Sequence, residues 1–97
     1  MRVQRSTHDR VVERLSAVTV DGQAISLEKV QSSNVAGAGY DASRRLLVCQ
    51  FLSGAAYVYR NIPETKWADF RGARSKGKYL QQHVVGHHAH PFERLDV

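Results

Sequence analysis

The sequence predicts an α+β fold, a small antiparallel sheet with two short helices packed against it. Strand-like segments come first along the chain and helix-like segments later, an order that is typical of this class. Asp-Gly at 21–22 and Ser-Gly at 53–54 each separate two segments in which apolar and polar residues alternate, as they do in antiparallel hairpins. The length of 97 residues suits a single domain with one modest core.

Residues 1–30 are predicted to form an N-terminal extension, and residues 31–97 the main domain. Early in the extension, Ser6 or Thr7 is a candidate cap for a short helix, and the alternative is an arm without regular structure. Residues 16–28 alternate on both sides of the Asp-Gly pair. They predict a hairpin, because Asp and Gly tolerate the positive φ angles of a type I′ turn.

The central strands of the sheet are predicted at residues 35–40 and on both sides of the Ser-Gly turn. Gly37 and Gly39 interrupt the first of these strands and indicate a bulge or a close approach between two backbones. Tyr57 and Tyr59, which follow the turn, are expected to share one face of their strand. The residues expected to share a face in the strand before the turn are Leu47, Cys49 and Phe51.

Two helices are predicted after the sheet. Pro63 suits the first turn of a helix because its missing N–H has no partner there, and the two aromatic residues that follow fall on one face. Ser75 is the expected cap of a second short helix. The segment 87–97 is expected to be irregular, with Phe92 and Leu95 as apolar anchors.

The charge of the chain favours an anionic partner. Lys and Arg total 14 against 9 Asp and Glu, which gives a net charge of +5 and a pI near 9.8. No acidic residue occurs between Phe70 and Phe92, so positive charge is concentrated in the predicted helical region. The alternative is that the excess charge serves solubility alone. One cysteine and no long apolar segment lead us to expect a cytoplasmic protein.

Several short motifs follow one another in a fixed order. They are Ser-Ser-Asn-Val at 32–35, Gly-Tyr-Asp at 39–41, Phe-x-Ser-Gly at 51–54, Tyr-x-Tyr at 57–59, Ile-Pro at 62–63 and Ser-Lys-Gly-Lys-Tyr at 75–79. In this order they resemble the KTSC domain family, which is named after its occurrence at the C-terminus of some lysyl-tRNA synthetases. The resemblance covers about residues 32–95, and His-Pro-Phe at 90–92 departs from the family's Arg-Tyr-Pro-Tyr.

The resemblance implies two functions of different classes. Attachment of the domain to a tRNA ligase implies RNA binding. Phage relatives that look like regulators of transcription imply instead a protein-interaction module that docks on a larger machine such as RNA polymerase. Neither function needs a reaction, and we expect a small binding module without catalytic activity, cofactor or metal.

The candidate site lies where the two helices are expected to meet. The start of the second helix presents N–H groups to an anion, with basic side chains around it, and the alternative is a solvated junction. The residues predicted to contact nucleic acid are Arg60, Arg71, Arg74, Lys76 and Lys78, with Arg44 and Arg45 as further candidates. The candidates for base stacking are Tyr57, Tyr59 and Tyr79, although a small core favours inward positions for the first two.

Three other patterns are interpreted as structural. Residues 72–78 match most of a phosphate-binding P-loop, but Tyr79 replaces the Ser or Thr that would bind Mg²⁺. Cys49 is expected to be a buried apolar residue and not a nucleophile. A histidine cluster lacks a nearby Cys or carboxylate to complete a metal site, and it consists of His83, His87, His88 and His90.

Overall fold

The computed structural model describes residues 14–95, which form an α+β fold with one curled six-stranded antiparallel sheet and two short helices. The strands follow the chain order from edge to edge, so each strand pairs with its sequence neighbours. The elements are β1 (Arg14–Val20), β2 (Gln23–Lys29), β3 (Val35–Asp41), β4 (Leu46–Phe51), β5 (Ala56–Tyr59), α1 (Glu64–Gly72), α2 (Lys76–His83) and β6 (Phe92–Leu95). The helix predicted near Ser6 or Thr7 lies outside the described residues.

The predicted hairpin around the Asp-Gly pair is confirmed. Asp21 and Gly22 have φ angles of 51° and 83°, the positive values that a type I′ turn requires. Arg44, in the connection between β3 and β4, stabilises this turn, because its Nη1 donates to the Val20 carbonyl at 2.6 Å. Hydrogen bonds from the Arg44 and Ser43 side chains hold the pKa of Asp41 at about 2.

The sheet has a buried core on each of its two faces. The alternation predicted for β4 is confirmed, since Leu47 and Cys49 face the helices while Leu46 and Val48 face the opposite side. The helix-face core consists of Val35, Ala38, Leu47, Cys49, Tyr59, Ile62, Phe70, Leu80 and Val84. The hairpin-face core consists of Val18, Val20, Ile25, Leu27, Leu46, Val48 and Val58. The curl of the sheet brings the β1–β2 hairpin over the second face, so both faces are filled.

Both glycines of β3 have a structural reason. The register with β4 shifts between Val35 and Gly37, and this bulge keeps Val35 and Ala38 on the helix face. At Gly39 a β-carbon would collide with the backbone carbonyl oxygen of Ser26 in β2. The predicted bulge and the predicted close approach are therefore both present.

The two predicted helices are present, with one difference at the first. Pro63 is the N-cap, with extended φ and ψ of −72° and 155°, and α1 begins one residue later than the predicted first turn. Phe70 is buried in the helix-face core, while Trp67 is half-buried. Ser75 caps α2 as predicted, because its hydroxyl accepts from the Lys78 backbone N–H at 3.3 Å. Within residues 14–95, neither helix is long and apolar enough to cross a membrane.

The prediction that the tail is irregular is confirmed for residues 87–91 and wrong for residues 92–95. Phe92–Leu95 forms β6, which pairs antiparallel with β5. These four residues show no strong strand pattern of their own, and pairing with the free edge of β5 satisfies their backbone groups instead. Leu95 contacts the hairpin-face core as an anchor, whereas Phe92 is 58% exposed on the other face.

Candidate functional site

Lys76 connects the two helices at the junction between α1 and α2. Its Nζ donates to the carbonyl oxygens of Arg71 and Ala73, at 3.0 and 2.6 Å. These carbonyls belong to the last turn of α1, where backbone acceptors have no partner within the helix and the helix dipole is negative. Lys76, predicted to contact phosphate, therefore also joins the start of α2 to the end of α1.

Arg71 lies on the outer side of the same junction. Its Nη2 is 3.1 Å from Glu28 Oε1, and its guanidinium lies 5.3 Å from the centre of the Trp67 ring. Its side chain is 48% exposed. Glu28 therefore offsets part of its charge, while about half of the side chain is accessible to solvent.

Arg74 and Lys78 are the remaining predicted residues of the junction. Both side chains are exposed, and the structure shows no hydrogen bond or ion pair from either of them to another residue of the 14–95 segment. Lys78 lies on the first turn of α2, beside the helix N-terminus. These two cations are therefore available to an external anion.

Arg60, also predicted for this site, lies elsewhere. Its guanidinium bridges Asp21 at 3.4 Å and Glu93 at 3.2 Å, and these hydrogen bonds, led by the one to Glu93, raise its pKa. Asp21 lies just before β2, whereas Glu28, the partner of Arg71, lies near the end of β2. An extended strand rises by about 3.3 Å a residue, so about 20 Å separates Asp21 from Glu28. Arg60 therefore lies far from the Arg71–Glu28 pair.

The two further arginine candidates are also engaged within the protein. Arg44 Nε lies 2.8 Å from Asp41 Oδ2. Arg45 lies beside Tyr40, and its backbone carbonyl accepts from the Ile62 N–H at 2.9 Å. Both belong to the connection between β3 and β4, and neither joins the helix junction.

The three candidate tyrosines differ in exposure. Tyr59 is only 4% exposed, as the core interpretation expects, and burial raises the pKa of its hydroxyl. Tyr57 and Tyr79 are half-buried. Tyr79 packs between Phe70 and His83, with ring centres 6.2 and 4.5 Å away. Tyr57 and Tyr59 both line a cavity, and Tyr57 is the more exposed of the two.

This cavity lies between α2 and the β5–β6 edge, and we call it the cleft. It measures about 270 Å³. Two of its aromatic rings form a right-angled corner, because the ring centres of Tyr57 and Phe92 are 5.8 Å apart and the ring planes meet at 86°. The residues that give it its chemical character are Asn34, Phe51, Tyr57, Gly77, Gln81 and Phe92.

The cleft joins residues that the sequence did not bring together. Asn34 and Gly77 belong to two different motifs, and they meet at its wall. Phe92 reaches it only because β6 pairs with β5, and Arg94 pairs with Tyr57 in the same ladder. These positions could have been found from the sequence only by predicting residues 92–95 as a strand.

Within the histidine cluster, the rings of His87 and His90 have their centres 6.0 Å apart. His90 is buried, and its Nδ1 lies 3.2 Å from the Arg60 carbonyl, to which it must donate. Its Nε2 is then the acceptor for Lys66 Nζ at 2.8 Å. Among the described residues, no group of three or more His, Cys, Asp or Glu is arranged to hold a metal ion.

Comparisons with known proteins agree on one family. The KTSC domain model matches residues 31–87, more than half of the chain. A protein of Tsukamurella paurometabola is 33% identical over 54 residues, which are 56% of this chain and 81% of that protein. The crystal structure of a KTSC domain protein from Yersinia pestis superposes with a TM-score of 0.70 at 29% identity, covering 75% of this chain and all of that one. With its motifs, its curled sheet and its helix pair, the chain belongs to the KTSC domain family.

Proposed function

We propose that this domain binds nucleic acid, with RNA favoured, and that it does so without catalysing a reaction. The observation that supports this most directly is the pair of exposed, unengaged cations at the helix junction, Arg74 and Lys78. The single cysteine is buried as a free thiol, which fits a reducing compartment, and we extend the proposal to the cytoplasm.

The junction is suited to a chain of phosphates by its charge. No acidic residue occurs from Phe70 to Phe92, so nothing within this segment competes for the basic side chains. Arg71 adds a partly neutralised guanidinium, and the N-terminus of α2 adds a positive dipole end beside Lys78. Phosphate contacts of this kind dominate the affinity of nucleic-acid binding and make it depend on salt.

A salt titration of single-stranded RNA binding tests the proposal. The double variant Arg74→Gln/Lys78→Gln is expected to bind more weakly, and each lost phosphate contact should reduce the log–log salt slope by about 0.7. Arg60→Gln, which removes one unit charge outside the junction, serves as the control for each of the two single variants and should keep the slope. If the wild type retains no RNA or DNA at low salt, the proposal fails.

A protein partner is the second candidate. The outer edge of β6 pairs with no other strand within residues 14–95, and Phe92 beside it is 58% exposed. A free strand edge can add a strand from a partner, for example one from a larger machine such as RNA polymerase. Recovery of one stoichiometric protein after nuclease treatment, lost in a Phe92→Ala variant, would favour this function.

A further inference from the structure

We infer that the cleft between α2 and β6 holds one unpaired base of a single-stranded nucleic acid. This inference rests on the proposed function and adds to it the form of the ligand. The volume of about 270 Å³ lies just below the range of about 300–1,000 Å³ that drug-sized ligands occupy. The cleft therefore suits a single planar group better than a long segment.

The aromatic side chains of the cleft provide a surface for stacking. The Tyr57 and Phe92 rings stand almost perpendicular, with Phe51 6.0 Å from Tyr57 on its other side. A base that stacks on one ring of this corner meets the edge of the other, an arrangement that aromatic rings favour. Each stacked base contributes to affinity without requiring a particular sequence.

Two amide side chains supply the polar contacts. The Asn34 Oδ1 has one weak contact, a hydrogen bond from Ser32 Oγ at 3.4 Å, and Gln81 is exposed on the adjacent turn of α2. An amide both donates and accepts hydrogen bonds, so it matches the mixed donors and acceptors at the edge of an unpaired base. An apolar protein segment would leave both amides without partners.

Cations stand on both sides of the cleft. Lys78 lies three residues before Gln81, which places the two side chains next to each other on the surface of α2. Arg94 is directly paired with Tyr57, and paired residues of an antiparallel ladder point to the same face of a sheet. A strand whose base enters the cleft thus has positive charge on either side for its phosphates.

The test compares strands that differ only in their bases. A 12-nucleotide single-stranded DNA, the same strand with abasic residues throughout, a blunt duplex, and the RNA version are titrated against the whole protein at low salt. The single strands with bases are expected to bind about five- to 100-fold more tightly than the abasic strand, which has the same phosphates. The comparison of RNA with DNA identifies which sugar is preferred.

Two exposed positions locate the contact. Phe92→Ala and Gln81→Ala are expected to weaken binding of the strand with bases and to leave binding of the abasic strand and the salt slope unchanged. Gln82→Ala, on the next residue of α2 and outside the cleft, is the matched control for Gln81→Ala. Circular dichroism of each variant confirms that it is folded.

The outcomes separate the two ideas. If the abasic strand binds as tightly as the strand with bases, and the Lys78→Gln variant still binds both more weakly, the base pocket is wrong while the proposed function holds. If no nucleic acid binds but a stoichiometric protein is retained after nuclease treatment, both are overturned.

Discussion

Gly77 in α2 faces the side chain of Asn34 so closely that a β-carbon on Gly77 would lie 2.7 Å from Asn34 Oδ1 and 2.8 Å from Nδ2. The two residues come from motifs more than forty positions apart in the chain, Ser-Ser-Asn-Val and Ser-Lys-Gly-Lys-Tyr. The small glycine therefore allows α2 to approach the loop before β3, and it leaves the Asn34 amide at the wall of the cleft.

Gly77→Ala is expected to displace the Asn34 side chain and not the backbone. Asn34 is exposed and its side chain has one weak hydrogen bond, so it can rotate away, while alanine favours a helix over glycine by about 0.5–1 kcal/mol. The free energy of unfolding, measured with urea, should stay within about 1 kcal/mol of the wild type.

An Asn34→Ala background supplies the control for this variant. With the amide removed, Gly77→Ala should become stabilising, because only the helix preference remains. A large loss of stability from Gly77→Ala in the Asn34→Ala background would contradict the proposed contact.

Gly39→Ala is expected to be strongly destabilising. The obstacle there is the Ser26 backbone carbonyl, which cannot move without shifting β2. Forcing extra volume into a packed site costs about 1–3 kcal/mol or more. Gly72→Ala is the matched control, because a β-carbon there meets no atom within 4 Å, and it should stabilise the protein slightly. Equal urea midpoints for the two variants would refute this account.

The stability of the protein is expected to fall as the pH drops below about 6.5, in part because of His90. Burial, followed by the nearby Lys66 ammonium, lowers the pKa of His90 in the folded state. The unfolded chain, with an ordinary histidine pKa of about 6.5, then takes up a proton first, so acid favours unfolding. Above that pH the contribution of His90 is fully present.

Urea unfolding at pH 7.5 and 5.5 measures this effect. His90→Gln removes the titrating group and should reduce the difference between the free energies of unfolding at the two pH values. Lys66→Met should raise the pKa of His90, as followed by NMR of the ring protons, because a neighbouring cation is lost. If the free energy of unfolding of His90→Gln depends on pH as it does in the wild type, His90 is not a cause of that dependence.

Cys49 is expected to resist thiol reagents in the folded protein. Its side chain is fully buried, and burial raises the pKa of the thiol well above its ordinary value. The reagent therefore reaches the thiol only when the protein unfolds, and the rate of labelling should follow the population of the unfolded state. Fast labelling with a disulfide reagent in native buffer would show that this side of the helix-face core opens locally.

The features that the sequence predicted well depend on residues close together in the chain. The Asp-Gly turn requires two positive φ angles, and the alternation of β4 follows from its own period of two. The cap at Ser75 is equally local, since its hydroxyl reaches a backbone N–H three residues away. Local geometry alone determines each of these features.

The features that the sequence did not predict depend on contacts between distant residues. β6 forms because β5 has a free edge, which no pattern within residues 92–95 reveals. Charge alone did not distinguish Arg60, which is held by Asp21 and Glu93, from the unengaged Lys78. Of the five predicted basic residues, the structure gathers four at the helix junction and places Arg60 elsewhere, and the cleft forms only once β6 has paired with β5.

The presence of a core on both faces of the sheet has a consequence for how domains of this design diverge. Asn34, Gln81 and Phe92 line the cleft but belong to neither core. Substitutions at these three positions are expected to leave the fold intact, because the buried residues of both cores are elsewhere. On the proposed function, the residues that select the ligand can therefore change independently of the residues that maintain the architecture.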